Sequence, residues 1–160
     1  MRITGPERVK LTFDAQRCSA KFSQLANSGI PKLYVVVADK EVIYVGVAKR
    51  AMRERFYTGW NSTGKHGYHG YAWRHTHTEA DVYVWYQEDA PEGSLLGLET
   101  VEAEVVFLVR KAGQWPRGQT EIHFHPSQQE HRDWATKIFE SMELNLLKDH
   151  PVSGQQRVTS

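Results

Sequence analysis

At 160 residues and 18.4 kDa the chain can build one domain with its own core and is too short for two of average size. Its 40% apolar, 24% charged and 11% aromatic residues, with no biased tract, exclude a disordered, coiled-coil or collagen-like chain. Net charge +1 exerts no bulk pull on a polyanion, and the longest apolar run, Leu33 to Ala38, is far short of the roughly 20 residues of a membrane helix. The first residues lack a signal-peptide core and Cys18 is the single cysteine, so the expectation is a cytoplasmic protein with no membrane attachment and no intramolecular disulfide.

In chain order, residues 9–13 alternate as a short strand, and Asp14 offers an N-cap for a helix ending near Asn27-Ser28-Gly29. Residues 1–30 therefore read as an N-terminal appendage. Lys32 to Ala38 is β-branched and aromatic, Asp39-Lys40 supplies a turn, and Glu41 to Val47 resumes the β pattern, interrupted at Gly46, which makes a β-hairpin. Arg50 to Tyr57 has near-helical apolar spacing, and Gly59 to Thr78 is a long loop of glycines, aromatics and histidines. Asp81 to Tyr86 reads as a third strand, and Leu95 to Lys111 as the principal helix, stopped at Gly113. Ile122 to His125 is a further candidate strand, and the segment 126–150 carries an amphipathic helix from Gln128 to Lys148. The expected architecture is a single α/β (α+β) domain over 1–160, with a small mixed sheet built on a central hairpin flanked by helices.

Charge is uneven along this plan. Between Lys49 and Arg74 six bases (Lys49, Arg50, Arg53, Arg55, Lys65, Arg74) meet one acid, Glu54, whereas Glu79 to Glu104 holds eight acids and no Lys or Arg. A phosphate-binding surface beside a cation-binding carboxylate has this pattern. On the hairpin, Tyr34 and Tyr44 each stand in a similar relation to the turn, so the two phenols are expected on one sheet face. A cationic neighbour such as Arg55 would stabilise a phenolate able to take a proton from water, and its guanidinium could grip a phosphate in bidentate fashion. On the principal helix, Leu98, Val105, Val106 and Val109 surround Glu102, a carboxylate in an apolar stripe that needs a partner or a purpose. Glu104, with Phe107 and Leu108 one turn on, fits nearly as well.

Tyr34, ten residues before Tyr44-Val45-Gly46, followed by Ala48, Met52 and Arg55, resembles the GIY-YIG endonuclease superfamily over roughly 31–119. Lys32-Leu33 stands where that family usually has Gly-Ile, and Pro116 to Gln119 resembles its closing Pro-x-x-Asn with Gln in the last place. The resemblance implies hydrolysis of phosphodiester bonds in DNA, or in nucleic acid more widely. Tyr44, with Tyr34, would activate water, Arg55 would hold the phosphate, and Glu102 or Glu104 would bind Mg²⁺ or Mn²⁺. A single carboxylate completed by water and phosphate oxygens suits those hard cations better than zinc. Many members carry a His or Tyr one helical turn after the Arg. Here that place is Gly59, which leaves Tyr57, Lys65, His66 and His69 as candidates for the role. Gly46, Lys49, Arg53, Arg74 and Gln119 complete the expected substrate surface. Two alternatives come from other classes: a non-cleaving nucleic-acid-binding module on the same scaffold, and a zinc hydrolase built from the pairs His75/His77 and His123/His125 if both lie on strands that meet.

Overall fold

A computed structural model describes residues 1–64, 70–116 and 122–144. Asp39 and Lys40 both take left-handed angles (φ 53° and 62°), the backbone that fits a two-residue turn to the strand twist, and they join β3 (Lys32–Ala38) to β4 (Glu41–Ala48). β5 (Glu79–Gln87) pairs with β3 on one side and β1 (Ile3–Phe13) on the other, and the short β2 (Cys18–Ser19) follows, giving the order β2-β1-β5-β3-β4. The sheet is antiparallel throughout rather than mixed, because β5 enters beside β3 and not beside β4, and so runs against both its neighbours.

The N-terminal reading changes most. β1, expected in an appendage, pairs with β5 from Ile3 to Thr12 and is part of the central sheet. No helix forms between Asp14 and Gly29. Asp14 Oδ1 does accept from the backbone N–H groups of Gln16 (2.8 Å) and Arg17 (3.0 Å), but those bonds close a turn into β2. The same side-chain chemistry serves turns and helix starts, and only a following apolar stripe distinguishes them.

Helix α1 (Met52–Asn61) lies against one sheet face through Met52, Phe56 and Trp60. α2 (Leu96–Lys111) covers the other with Leu98, Val101, Val105, Val106 and Val109, and ends at Gly113 in left-handed backbone (φ 92°), as expected. α3 (Gln129–Ser141) packs on α2 through Ala135 and Ile138, and residues 145–148 of the expected helix lie outside the described residues. Residues 122–125 are not a strand. Ile122 packs partly buried on the α2 core but Phe124 is 80% exposed, so no continuous apolar face is buried here, and His125 Nε2 is tied to Glu99 Oε2 of α2 at 2.8 Å. Among the described residues no helix is long and apolar enough to cross a membrane.

Candidate active site

β3 is buried along its whole length, with alternate side chains feeding different cores: Tyr34, Val36 and Ala38 join α1, whereas Leu33, Val35 and Val37 join α2. Pairing begins regularly at Ala38↔Glu41 and Val37↔Val42, but the next pair is Val36↔Tyr44, leaving Ile43 as an extra residue. This bulge decides the site. In an unbroken two-residue hairpin Tyr34 would face Val45, and Tyr44 would point to the opposite side of the sheet. With Ile43 inserted, Tyr34 faces Gly46 and both tyrosines lie on the α1 side. The expected convergence of the phenols is therefore present, for a reason that turn symmetry does not supply.

Gly46 makes that convergence possible. A β-carbon there would stand 2.7 Å from the Tyr34 hydroxyl and 2.8 Å from Cε1 of Tyr44, so only glycine lets the two rings stack at 5.8 Å. Arg55 projects from α1 to the same place, its Nη2 donating to Tyr44 Oη at 3.3 Å. Tyr34 is fully buried, and burial first, then the neighbouring phenols of Tyr71 and Tyr44, push its pKa well above the ordinary tyrosine value. It is a neutral phenol at physiological pH. Tyr44 is half-buried and keeps the more accessible hydroxyl.

Sequence reasoning missed one member of this cluster. The space above Gly59, where a side chain one turn after Arg55 would sit, is filled by the ring of Tyr71, to which a Gly59 β-carbon would come within 2.2 Å. Tyr71 shares a 2.8 Å hydrogen bond with Tyr34 through their hydroxyls, lies edge-on to Tyr44 at 5.0 Å, and carries the Arg55 guanidinium 4.8 Å from its ring centre. Gly59 O accepts from Tyr71 N (2.9 Å) and from Arg74 Nη1 (3.0 Å), which also donates to Tyr71 O. Arg74, expected on the substrate surface, thus anchors the strand of loop that delivers Tyr71. The signal was present in the glycine at 59 and the aromatic richness of the loop, but not the identity of the ring.

The other expected residues divide as follows. Lys49 and Arg53 are exposed, and Tyr57 is 70% exposed on the outer side of α1. Lys65, His66, His69 and Gln119 lie outside the described residues. Glu102 is only 4% exposed in the apolar stripe of α2, while Glu104 is half-buried. The apolar neighbours of Glu102 and the tyrosines belong to cores on opposite sheet faces, and β4, which carries Tyr44 and Gly46, is the sheet edge against which α2 packs. Among the described residues no three His, Cys, Asp or Glu side chains gather to hold an ion, and His75 stands in the short 3₁₀ turn Ala72–His75 rather than on a strand. Among the described residues a lone carboxylate without clustered nitrogen or sulfur donors is chemistry suited to a hard cation rather than to a protein-caged zinc.

Lys32, in the place of the usual family glycine, is also buried. Its Nζ donates to Ser28 O (2.8 Å) and Arg50 O (3.1 Å), and burial lowers its pKa to about 8. It fastens the turn before β3 to the entry of α1. The Cys18 thiol, raised by burial to about 11, is a poor nucleophile. The chain matches no protein-family model, no curated protein and no solved structure.

Proposed function

We propose that the protein is a divalent-metal-dependent endonuclease of GIY-YIG type, acting on phosphodiester bonds in DNA. The observation that carries this reading is the contact of Arg55 Nη2 with Tyr44 Oη inside a buried cluster of three tyrosines that Gly46 and Gly59 make room for. A core needs apolar rings, whereas this one turns two phenols and a guanidinium towards one point.

Tyr44 is the proton acceptor for water, since Tyr34 is sealed from solvent and engaged with Tyr71. Arg55 supplies the counter-charge that a Tyr44 phenolate requires, and its guanidinium is the fork-shaped cation suited to a phosphate oxygen. Tyr71 is a positioning residue that holds Arg55 by its ring and Tyr34 by its hydroxyl. Glu102, with Glu104 as the alternative, would hold Mg²⁺ or Mn²⁺. Such an ion stabilises charge on the leaving oxygen. The bases Lys49, Arg50 and Arg53 favour a polyanion on this side of the molecule.

The test is nicking of supercoiled plasmid in Mg²⁺ or Mn²⁺ beside EDTA, with Tyr44→Phe, Arg55→Ala, Glu102→Gln and Glu104→Gln. Metal-dependent nicking lost with Tyr44, Arg55 and one glutamate is expected, and the sensitive glutamate identifies the ligand. Binding without cleavage by the intact protein would favour the non-cleaving module.

A further inference from the structure

We propose that a cavity beside the tyrosine cluster receives a nucleobase unstacked from the strand whose phosphate Arg55 holds, so that the substrate is a nucleic acid with an extruded base. This rests on the nuclease reading and specifies its substrate.

The cavity, about 490 Å³, is lined by Ile43, Trp73, Thr76, His77, Gln114 and Trp115, with Glu41 among the lining residues. That volume lies within the range of small-molecule sites. Its walls continue the site already described. Ile43 is the bulged residue next to Tyr44, and Ala72, also in the wall, follows Tyr71.

The chemistry of the lining selects the occupant. Among the described lining residues none is Lys or Arg and the Glu41 carboxylate is the one acidic group, so these walls favour a neutral heteroaromatic ring over a phosphate. Trp73 is buried to 3% exposure, yet its indole N–H has no acceptor among the described residues. A buried donor in that state costs free energy, and it belongs to a residue of the cavity wall. The Gln114 amide is already committed to Val42 N (2.9 Å) and Lys40 O (3.3 Å), which leaves Thr76 and His77 as neutral polar groups of the wall that can meet a ring edge. Trp115 is 67% exposed and contributes little to the core, with the Arg110 guanidinium 5.4 Å from its ring centre to steady it. An exposed, braced indole at the wall of a base-sized cavity is a stacking surface.

The experiment uses duplex DNA carrying 2-aminopurine at successive positions, mixed with the full chain in Ca²⁺ in place of Mg²⁺. Anisotropy of an end label reports binding, and 2-aminopurine fluorescence reports unstacking. A severalfold rise at one position is expected on saturation, lost in Trp115→Ala, reduced in His77→Ala and restored in Trp115→Phe. Because Trp115 is exposed, its loss leaves the far-ultraviolet circular dichroism unchanged. Saturable binding with no rise at any position, or a rise indifferent to Trp115, overturns the base-pocket inference and leaves the nuclease reading standing. Neither binding nor plasmid nicking overturns both.

Discussion

The two faces of β3 solve different problems with neighbouring residues. On the α2 side, Leu33, Val35 and Val37 meet Leu98, Val101, Val105 and Val109, a mainly aliphatic core to which β5 adds the stacked rings of Tyr83 and Trp85. On the α1 side, Tyr34, Phe56, Trp60, Tyr71 and Trp73 pack with ring centres 4.9–6.3 Å apart, with the Tyr34 and Tyr71 hydroxyls paired to each other and the Trp60 N–H donating to Asp14 O. The α2 face, mostly aliphatic, is specified chiefly by volume. The aromatic face is specified by volume and by hydrogen bonding together, and so can hold Arg55 and Tyr44 in a fixed relation.

The sharpest way to break that comparison is Arg55→Ala. It should lower plasmid nicking by roughly 10³-fold, the scale of removing one preorganised donor to a charged transition state, with a much smaller shift in melting temperature. Tyr44→Phe should do the same, and comparable nicking by either variant would remove the functional side of the contrast. Next is Leu98→Ala on the other face, expected to cost about 2–5 kcal/mol in urea unfolding while each folded molecule keeps its turnover. A loss of turnover without loss of stability would show that Leu98 also positions Glu102, one turn on along α2. Gly46→Ala should do both kinds of damage, destabilising by about 1–3 kcal/mol through overpacking against Tyr34 and Tyr44, and lowering activity because the rings are pushed apart.

Smaller effects sharpen the assignment within the aromatic face. Tyr34→Phe removes the hydroxyl that meets Tyr71 and should cost about 1 kcal/mol while nicking persists. Nicking abolished by Tyr34→Phe alone would return the proton-accepting role to that residue. Lys32 gives a pH signature. Between about 8 and the ordinary lysine value, the unfolded chain keeps a proton that the folded chain has released, so stability rises with pH through that window. Below pH 8 the cost of the buried ammonium is present in full. Denaturant midpoints of the wild type and Lys32→Met at pH 7.5 and 9.5 should differ in slope, the variant lacking the rise.

Much of the plan was legible in the chain. Asp39-Lys40 marked the turn, Leu98, Val105, Val106 and Val109 marked the buried stripe of α2, and Gly113 marked its end. The failures have local causes. Asp14 made the expected side-chain bonds in a turn instead of a helix, and Ile122 to His125 alternated but left Phe124 exposed, with Ile122 alone packed on the core. Of the site, Tyr34, Tyr44, Gly46 and Arg55 were found by spacing, whereas Tyr71 was hidden because it comes from a loop whose path no periodicity encodes.

The sequence by itself determined the residue types of the candidate site and the elements that carry them, because turn chemistry and the periods of strand and helix are local properties. Only the tertiary structure decided that the two tyrosines share a face. The single extra residue, Ile43, reverses the side on which Tyr44 would otherwise lie, and a bulge is chosen by which pairing buries both faces of β3 best. It likewise decided that Tyr71 fills the place left by Gly59, since a ring and the gap that receives it meet only when distant segments fold together.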